Sequence, residues 1–216
     1  MFCAVAYAQS INAAYQAYIE QYRHIAIEQQ RKYGIPASIT MAQAILESAA
    51  GKSELATKAN NHFGIKCTSD WEGKNYYIDD DRPNECFRKY AEVSDSYEDH
   101  SLFLKRKRYE SLFALSLGDY KNWAYGLKTC GYATDPKYPE KLIRIIELYD
   151  LNKLTFDKSL VKSGAIDEEK LLIENEFGEV SIDGAILRDS NIEVKEINSG
   201  CICCQVTGDF KEGILE

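Results

Sequence analysis

The sequence predicts an α+β fold: a mainly helical domain with a small β-hairpin lobe, followed by a short acidic C-terminal appendage. Three observations predict it. Apolar residues recur at three-and-four spacing in successive windows as far as Tyr149, one window at 74–90 is rich in β-favouring residues around a turn, and composition changes near 150–157. Residues 151–216 carry 7 Lys+Arg against 14 Asp+Glu, whereas residues 1–150 carry 19 against 20, and all 15 Tyr and both Trp lie at or before Tyr149. The expected division is 1–8, 9–152 and 153–216.

A chain of 216 residues with 45% hydrophobic content is long enough to bury one core and carry an appendage. No run approaches the ~18 apolar residues of a membrane-spanning helix. The formal net charge of −8 argues against a nucleic-acid partner, because phosphates would meet no excess of cations. Met1 to Ala8 has the apolar character of the end of a secretory signal, with Ala6-Tyr7-Ala8 as a small-x-small cleavage pattern before Gln9.

Residues 11–33 form the first helix, with Ile11, Tyr15, Tyr18, Tyr22, Ile25 and Ala26 along one stripe and Gly34 as its stop. His24 beside that stripe reads as a surface or core-edge residue. Ser38 is the expected N-cap of a second helix, in which Ile39, Ala42, Ile45, Leu46 and Ala49 make a buried stripe and Gly51 ends it. Glu47 stands on the edge of this stripe. Its carboxyl is expected to be partly desolvated, which favours the neutral acid and suits a proton donor; a solvated Glu in a last helical turn is the alternative from spacing alone.

Ser53 caps a short turn through Ala59, and Asn60 to Lys66 reads as a tight loop. Lys74 to Asp79 and Glu85 to Tyr90 are the two hairpin strands, with Arg82-Pro83-Asn84 as turn chemistry. Cys67 and Cys86 flank the hairpin where they can pair across its base; two free buried thiols are the alternative. Ser96 with Asp99 has capping-box spacing and opens a helix to about Lys107, with Leu102 and Phe103 inward. The basic run Lys105 to Arg108 reads as a solvated helix end, and His100 as structural. Asp119 caps the next helix, which buries Trp123, Leu127 and Cys130 and stops at Gly131. Tyr132 to Tyr138 is a loop stiffened by Pro136, and Pro139 starts a last helix with Leu142, Ile145, Ile146 and Tyr149 inward.

Four ordered stretches carry a family resemblance: Gln43 to Ala56, the Asn60-Asn61-His62-Phe63-Gly64-Ile65-Lys66 segment, Phe87-Arg88-Lys89-Tyr90, and Gly131-Tyr132-Ala133-Thr134-Asp135-Pro136-Lys137-Tyr138. Together they resemble the glycoside hydrolase family 73 endo-β-N-acetylglucosaminidases, peptidoglycan hydrolases related to the flagellar muramidase-like protein and the bacterial autolysins. The resemblance covers about residues 11–150. It implies a lysozyme-like fold, action on peptidoglycan glycan strands outside the cytoplasmic membrane, in the periplasm or cell envelope, and Glu47 as catalytic acid.

Under that resemblance one of the aspartates at the hairpin tip, Asp81 or else Asp80, faces Glu47 as a second carboxylate that handles water. A solvated turn at Asp79 to Asp81 is the alternative, and relatives place a Glu on a longer hairpin. Tyr132 would contact the sugar at the acid. Asn60, Phe63, Trp71, Tyr77, Asp135 and Tyr138 are the expected substrate contacts, the amide of Asn60 for an N-acetyl group or hydroxyl and the aromatics for pyranose faces. His62 stands where relatives carry an apolar residue and is given no catalytic role. No metal or organic cofactor is implied, and a monomer is expected. A lytic transglycosylase of the same fold and an inactive wall-glycan binding module are the competing functions.

Residues 157–216 carry no resemblance that we could assign. They read as short alternating strands at 179–182 and 192–197 or as a partly disordered acidic tail. Cys201-Ile202-Cys203-Cys204 has no second separated ligand pair and no His after position 100, so disulfides or free thiols need fewer assumptions than zinc.

Overall fold

Nine consecutive residues of one helix, Ala37 to Ile45, are buried, so this helix is enclosed by its neighbours on every side. The computed structural model describes residues 12–162 and 164. The signal-like segment Met1–Ala8, the strands expected at 179–182 and 192–197, and Cys201, Cys203 and Cys204 lie outside the described residues. The enclosed helix is α2 (Ala37–Glu47). Around it lie α1 (Ala13–Tyr33), α5 (Tyr120–Thr129), α6 (Tyr138–Leu148) and the short α7 (Asn152–Thr155). Completing the described chain are α3 (Glu54–Ala59), β1 (Lys74–Ile78), β2 (Glu85–Lys89), α4 (Val93–Leu104), a 3-10 helix at Lys107–Ala114, and α8 (Lys158–Lys162). No helix among the described residues is long and apolar enough to cross a membrane.

The local signals place most helix ends. Asn12 accepts the Ala14 N–H at the start of α1, and Gly34 closes that helix in the left-handed conformation. Ser53 and Asp119 cap α3 and α5 through their side chains, and Pro139 sits in the first turn of α6.

Two expected caps are corrected. Ser38 is not an N-cap but lies inside α2, whose N-cap is Pro36. The free N–H groups of the first turn are met from elsewhere in the chain: Ala37 N donates to Gln30 Oε1 of α1 at 2.7 Å and Ser38 N to Thr155 Oγ1 of α7 at 3.2 Å. Likewise α4 begins at Val93 under a capping box of Glu92 and Asp95, and buried Ser96 accepts the backbone N–H of His62 at 3.0 Å. With the cap four residues earlier, at Glu92 and not Ser96, Leu102 is exposed and Leu104 is buried.

The other end of α2 decides where Glu47 points. Ala49, Ala50 and Gly51 all have positive φ, 50°, 54° and 76°, so the helix cannot continue past Ser48. Ser48 Oγ accepts the Gly51 N–H at 2.8 Å, and a Cβ on Gly51 would meet the Tyr18 ring at 3.1 Å. Glu47 is therefore the last helical residue, at the mouth of an otherwise buried helix.

The β-lobe is an antiparallel pair in the register Tyr76↔Phe87 and Tyr77↔Cys86. Cys67 and Cys86 form a disulfide, and Cys67 N donates to Cys86 O at 2.9 Å. Arg88 fastens the lobe to α4: its guanidinium makes paired bonds of 2.9 and 3.0 Å to Asp99, reaches Thr68 Oγ1 at 2.6 Å and stacks 4.7 Å from the Trp71 ring. Both bonds to Asp99 come from Nη1, while Nη2 takes Thr68 and Nε the Lys66 carbonyl, so each guanidinium nitrogen is engaged and the side chain is held in orientation, largely out of water.

Opening the Cys67–Cys86 loop of about 20 residues frees chain entropy worth about 3 kcal/mol in the unfolded state. Replacing both cysteines with Ala is expected to lower the melting temperature by roughly 6–12 °C. An unchanged thermal transition in the double variant would contradict this.

Candidate active site

Gln43 and Glu47 are four residues apart on α2 and share a face, and Tyr138 of α6 bridges them. Gln43 Nε2 donates to Tyr138 Oη at 3.1 Å, and Tyr138 Oη donates to Glu47 Oε1 at 2.8 Å. Burial pushes the Glu47 carboxyl above its ordinary pKa, with the Tyr138 bond and the charge of Lys141 pulling back more weakly. The neutral form of the carboxyl is thus favoured relative to a solvated glutamate, with one oxygen fixed by a phenol that burial also raises.

Tyr132 stands beside this pair, its ring centroid 5.7 Å from that of Tyr138. Burial, then the neighbouring charge of Glu47, drives its phenol well above the usual tyrosine value. Phe103 meets Tyr132 edge-on at 6.1 Å and His100 at 5.9 Å; His100 in turn stacks under Phe63 at 3.9 Å. The wall beside Glu47 is a continuous layer of rings, of the kind that packs sugar faces.

The loop bearing Tyr132 is pinned from outside. Arg108 Nε and Nη2 donate to Cys130 O at 3.0 and 2.7 Å, and Nη2 also donates to Gly131 O. Gly131 has a φ of 74°, and a Cβ there would lie 2.8 Å from Arg108 Nη2. Lys128 Nζ donates to Ala133 O at 2.9 Å and Thr134 O at 2.6 Å. These cations bond carbonyls of the C-cap and of the loop just beyond α5, near the negative end of that helix. Arg108 was legible only as part of a basic run; its use as a loop clamp depends on the fold.

Opposite, Lys66 lies among three acidic groups, 3.3 Å from Asp80, 3.3 Å from Asp81 and 2.9 Å from Glu85. The Asp80 and Asp81 side chains are 52% and 84% exposed, so water solvates them despite the ion pair. Between the two walls runs a groove of about 590 Å³.

Of the residues selected from sequence, the groove brings together Glu47, Phe63, Asp80, Asp81, Tyr132, Asp135 and Tyr138. Asp135 is held well below the usual carboxylate range by Lys141, 2.6 Å away, so it is a fixed anion and not a proton carrier. Asn60, Trp71 and Tyr77 are placed outside the groove lining. The Asn60 amide N–H groups are spent on the carbonyls of Tyr90 and Ala91, the Trp71 ring is covered by Arg88 and Tyr90, and Tyr77 is 54% exposed on the hairpin. His62 turns inward to Tyr18 Oη at 2.5 Å and burial lowers its pKa to about 4, so it is a neutral part of the core.

Exo-glucosaminidase LytG of Bacillus subtilis is 42% identical over 136 residues, covering 56% of this chain and 47% of that protein. The crystal structure of the catalytic domain of the autolysin Auto from Listeria monocytogenes superposes with a TM-score of 0.57 at 29% identity, covering 70% of this chain and 93% of that domain. The chain spans about half the length of the curated relatives it matches.

A second, separate match falls beyond α6. Residues 155–216 fit the model of the CobW/HypB/UreG nucleotide-binding domain, and the zinc chaperone YjiA of Escherichia coli is 40% identical over 45 residues, 21% of this chain and 14% of that protein. The stretch includes Cys201, Cys203 and Cys204.

Residues 23–151, which hold α2, the hairpin, the Tyr132 loop and α6, match the glucosaminidase model described as mannosyl-glycoprotein endo-beta-N-acetylglucosaminidase, and the chain belongs to that family.

Proposed function

We propose that the chain is an exported peptidoglycan hydrolase, an endo-β-N-acetylglucosaminidase that cuts glycan strands at the bond following N-acetylglucosamine. The observation that carries this reading is the Glu47 carboxyl, half-buried at the end of α2, raised in pKa and held by Tyr138 in an aromatic groove. Hydrolysis needs a proton delivered to the leaving oxygen as positive charge develops at the anomeric carbon. Glu47 is the donor. The catalytic unit is taken to run from residue 9 through α7, whose Thr155 meets Ser38 of α2, acting in the periplasm or cell envelope as a monomer, with the chain that follows as an appendage.

For the second half of the reaction, the arrangement favours help from the substrate. Asp80 and Asp81 are engaged by Lys66 and well solvated, whereas Tyr132 stands beside the acid. In this route the acetamido oxygen attacks the anomeric carbon as the glycosidic bond breaks and Glu47 protonates the departing oxygen. Water then opens the cyclic intermediate and returns its proton to the Glu47 carboxylate. Tyr132 orients the acetamido group.

Mass spectrometry of fragments released from purified peptidoglycan tests the function. Internal fragments ending in reducing N-acetylglucosamine are expected; disaccharides alone would indicate exo-cleavage, anhydro-muramic ends a transglycosylase, and no fragments a binding module. Glu47→Gln is expected to lower cleavage by about 10²- to 10⁴-fold while strand binding persists. A fully active Glu47→Gln variant would remove Glu47 from the chemistry.

The hairpin carboxylates are tested together. Asp80→Asn with Asp81→Asn is expected to retain cleavage within about tenfold of the parent protein. A loss on the order of that seen for Glu47→Gln would restore the water-activating base to the hairpin.

A further inference from the structure

A second hollow, of about 300 Å³, opens beside the groove and shares Leu46 and Lys141 with it. Leu46 precedes Glu47, so this hollow starts one residue from the acid. One side of it is a single stripe of α6: Lys141, Arg144, Ile145 and Leu148 are spaced three, four and seven residues apart and share one face. The other side is the start of α1. There Tyr15 packs on Tyr149 with ring centroids 5.6 Å apart, and Tyr149 Oη accepts the Asn12 N–H at 2.9 Å, which fixes the phenol.

The charge in this hollow has one sign. Its lining contains two cations, Lys141 and Arg144, and no carboxylate. Lys141 is tied to Asp135 at 2.6 Å, whereas none of the ion pairs among the described residues involves Arg144. A guanidinium at the rim of an aromatic and aliphatic floor suits a planar carboxylate on a group with apolar body, because the fork bonds both oxygens at once. Hydroxyls and acetamides of an unsubstituted glycan do not require such a cation.

We propose that this hollow is a second subsite of the same groove and binds a carboxylate-bearing peptide stem on the sugar next to the cleaved bond. The assignment rests on the glucosaminidase reading of the groove. The continuity at Leu46 and Lys141 lets one strand occupy both spaces, and a space of this size fits a few residues of peptide rather than a folded partner. Arg144 is then a specificity residue: it distinguishes peptide-bearing wall strands from bare glycan.

The test uses the full chain on two substrates, purified strands with their peptide stems and the same strands after enzymatic removal of the stems and amidation of the lactyl carboxylates that this removal exposes. The quantity read is the ratio of KM on stem-bearing strands to KM on bare strands. Arg144→Glu is expected to raise that ratio about tenfold, and Arg144→Lys to raise it less, since charge remains while the fork is lost. Lys153→Ala, an exposed cation outside the hollow, serves as the control and keeps the parent ratio. A ratio in Arg144→Glu equal to that of the parent would overturn the proposal. If the parent protein cuts neither substrate, the glucosaminidase reading falls instead. Titration of a free stem tripeptide, followed by NMR at the Tyr15 and Tyr149 rings, then decides the subsite by itself: shifts abolished by Arg144→Glu support it and no shifts reject it.

Discussion

The bond from Tyr138 Oη to Glu47 joins the two things this structure has to reconcile, a helix with no solvated face and an ionisable group at its end. A helix buried through Ile45 must be enclosed by α1, α5, α6 and α7, and that enclosure is what strips water from the carboxyl. An unsatisfied carboxyl there would cost stability, and the phenol supplies its partner without supplying a charge. Two effects oppose each other on Glu47: burial raises its pKa, and the Tyr138 bond and Lys141 lower it. Burial is the larger, so the neutral acid is favoured relative to a solvated glutamate while the residue still lines the groove.

The rest of the molecule can be understood as holding the walls of that opening. On one side, Arg108 and Lys128 fasten the Tyr132 loop through backbone carbonyls. On the other, the paired bonds between Arg88 and Asp99 dock the hairpin on α4, and the disulfide ties the hairpin base to the chain entering it. Beneath, His62 and His100 are neutral, both lowered by burial, and serve as flat packing units under Tyr18 and Phe63. Their imidazoles add rings to the core without adding charge near the acid.

The helices were legible because their signals are local. Periodicity marked the stripes, and Gly34, Ser53, Asp119 and Pro139 marked ends within one turn of where they occur. Glu47, Phe63, Tyr132, Asp135 and Tyr138 were legible through ordered motifs that the groove does bring together. What failed was whatever depended on a distant partner. Ser38 has the chemistry of a cap, yet Gln30 and Thr155 perform that task from 7 and 117 residues away. Asn60 has the chemistry to bind a sugar amide, yet the carbonyls of Tyr90 and Ala91 claim it first. Arg108 read only as part of a solvated basic run and Lys141 carried no sequence signal; the fold sets one against the Tyr132 loop and the other between the acid and the second hollow.

The claim on which everything else rests is that the fold, by desolvating Glu47, raises its pKa above that of a solvated glutamate. The direct measurement is an NMR titration of the side-chain carboxyl carbon of Glu47 in the 13C-glutamate-labelled protein, with Glu47→Gln to assign the signal. The account predicts a midpoint above the ordinary glutamate value, moved further up by Tyr138→Phe, which removes a bond that favours the charged form. A midpoint at or below the ordinary value would show that Glu47 is a solvated carboxylate, and the groove would then have no resident acid.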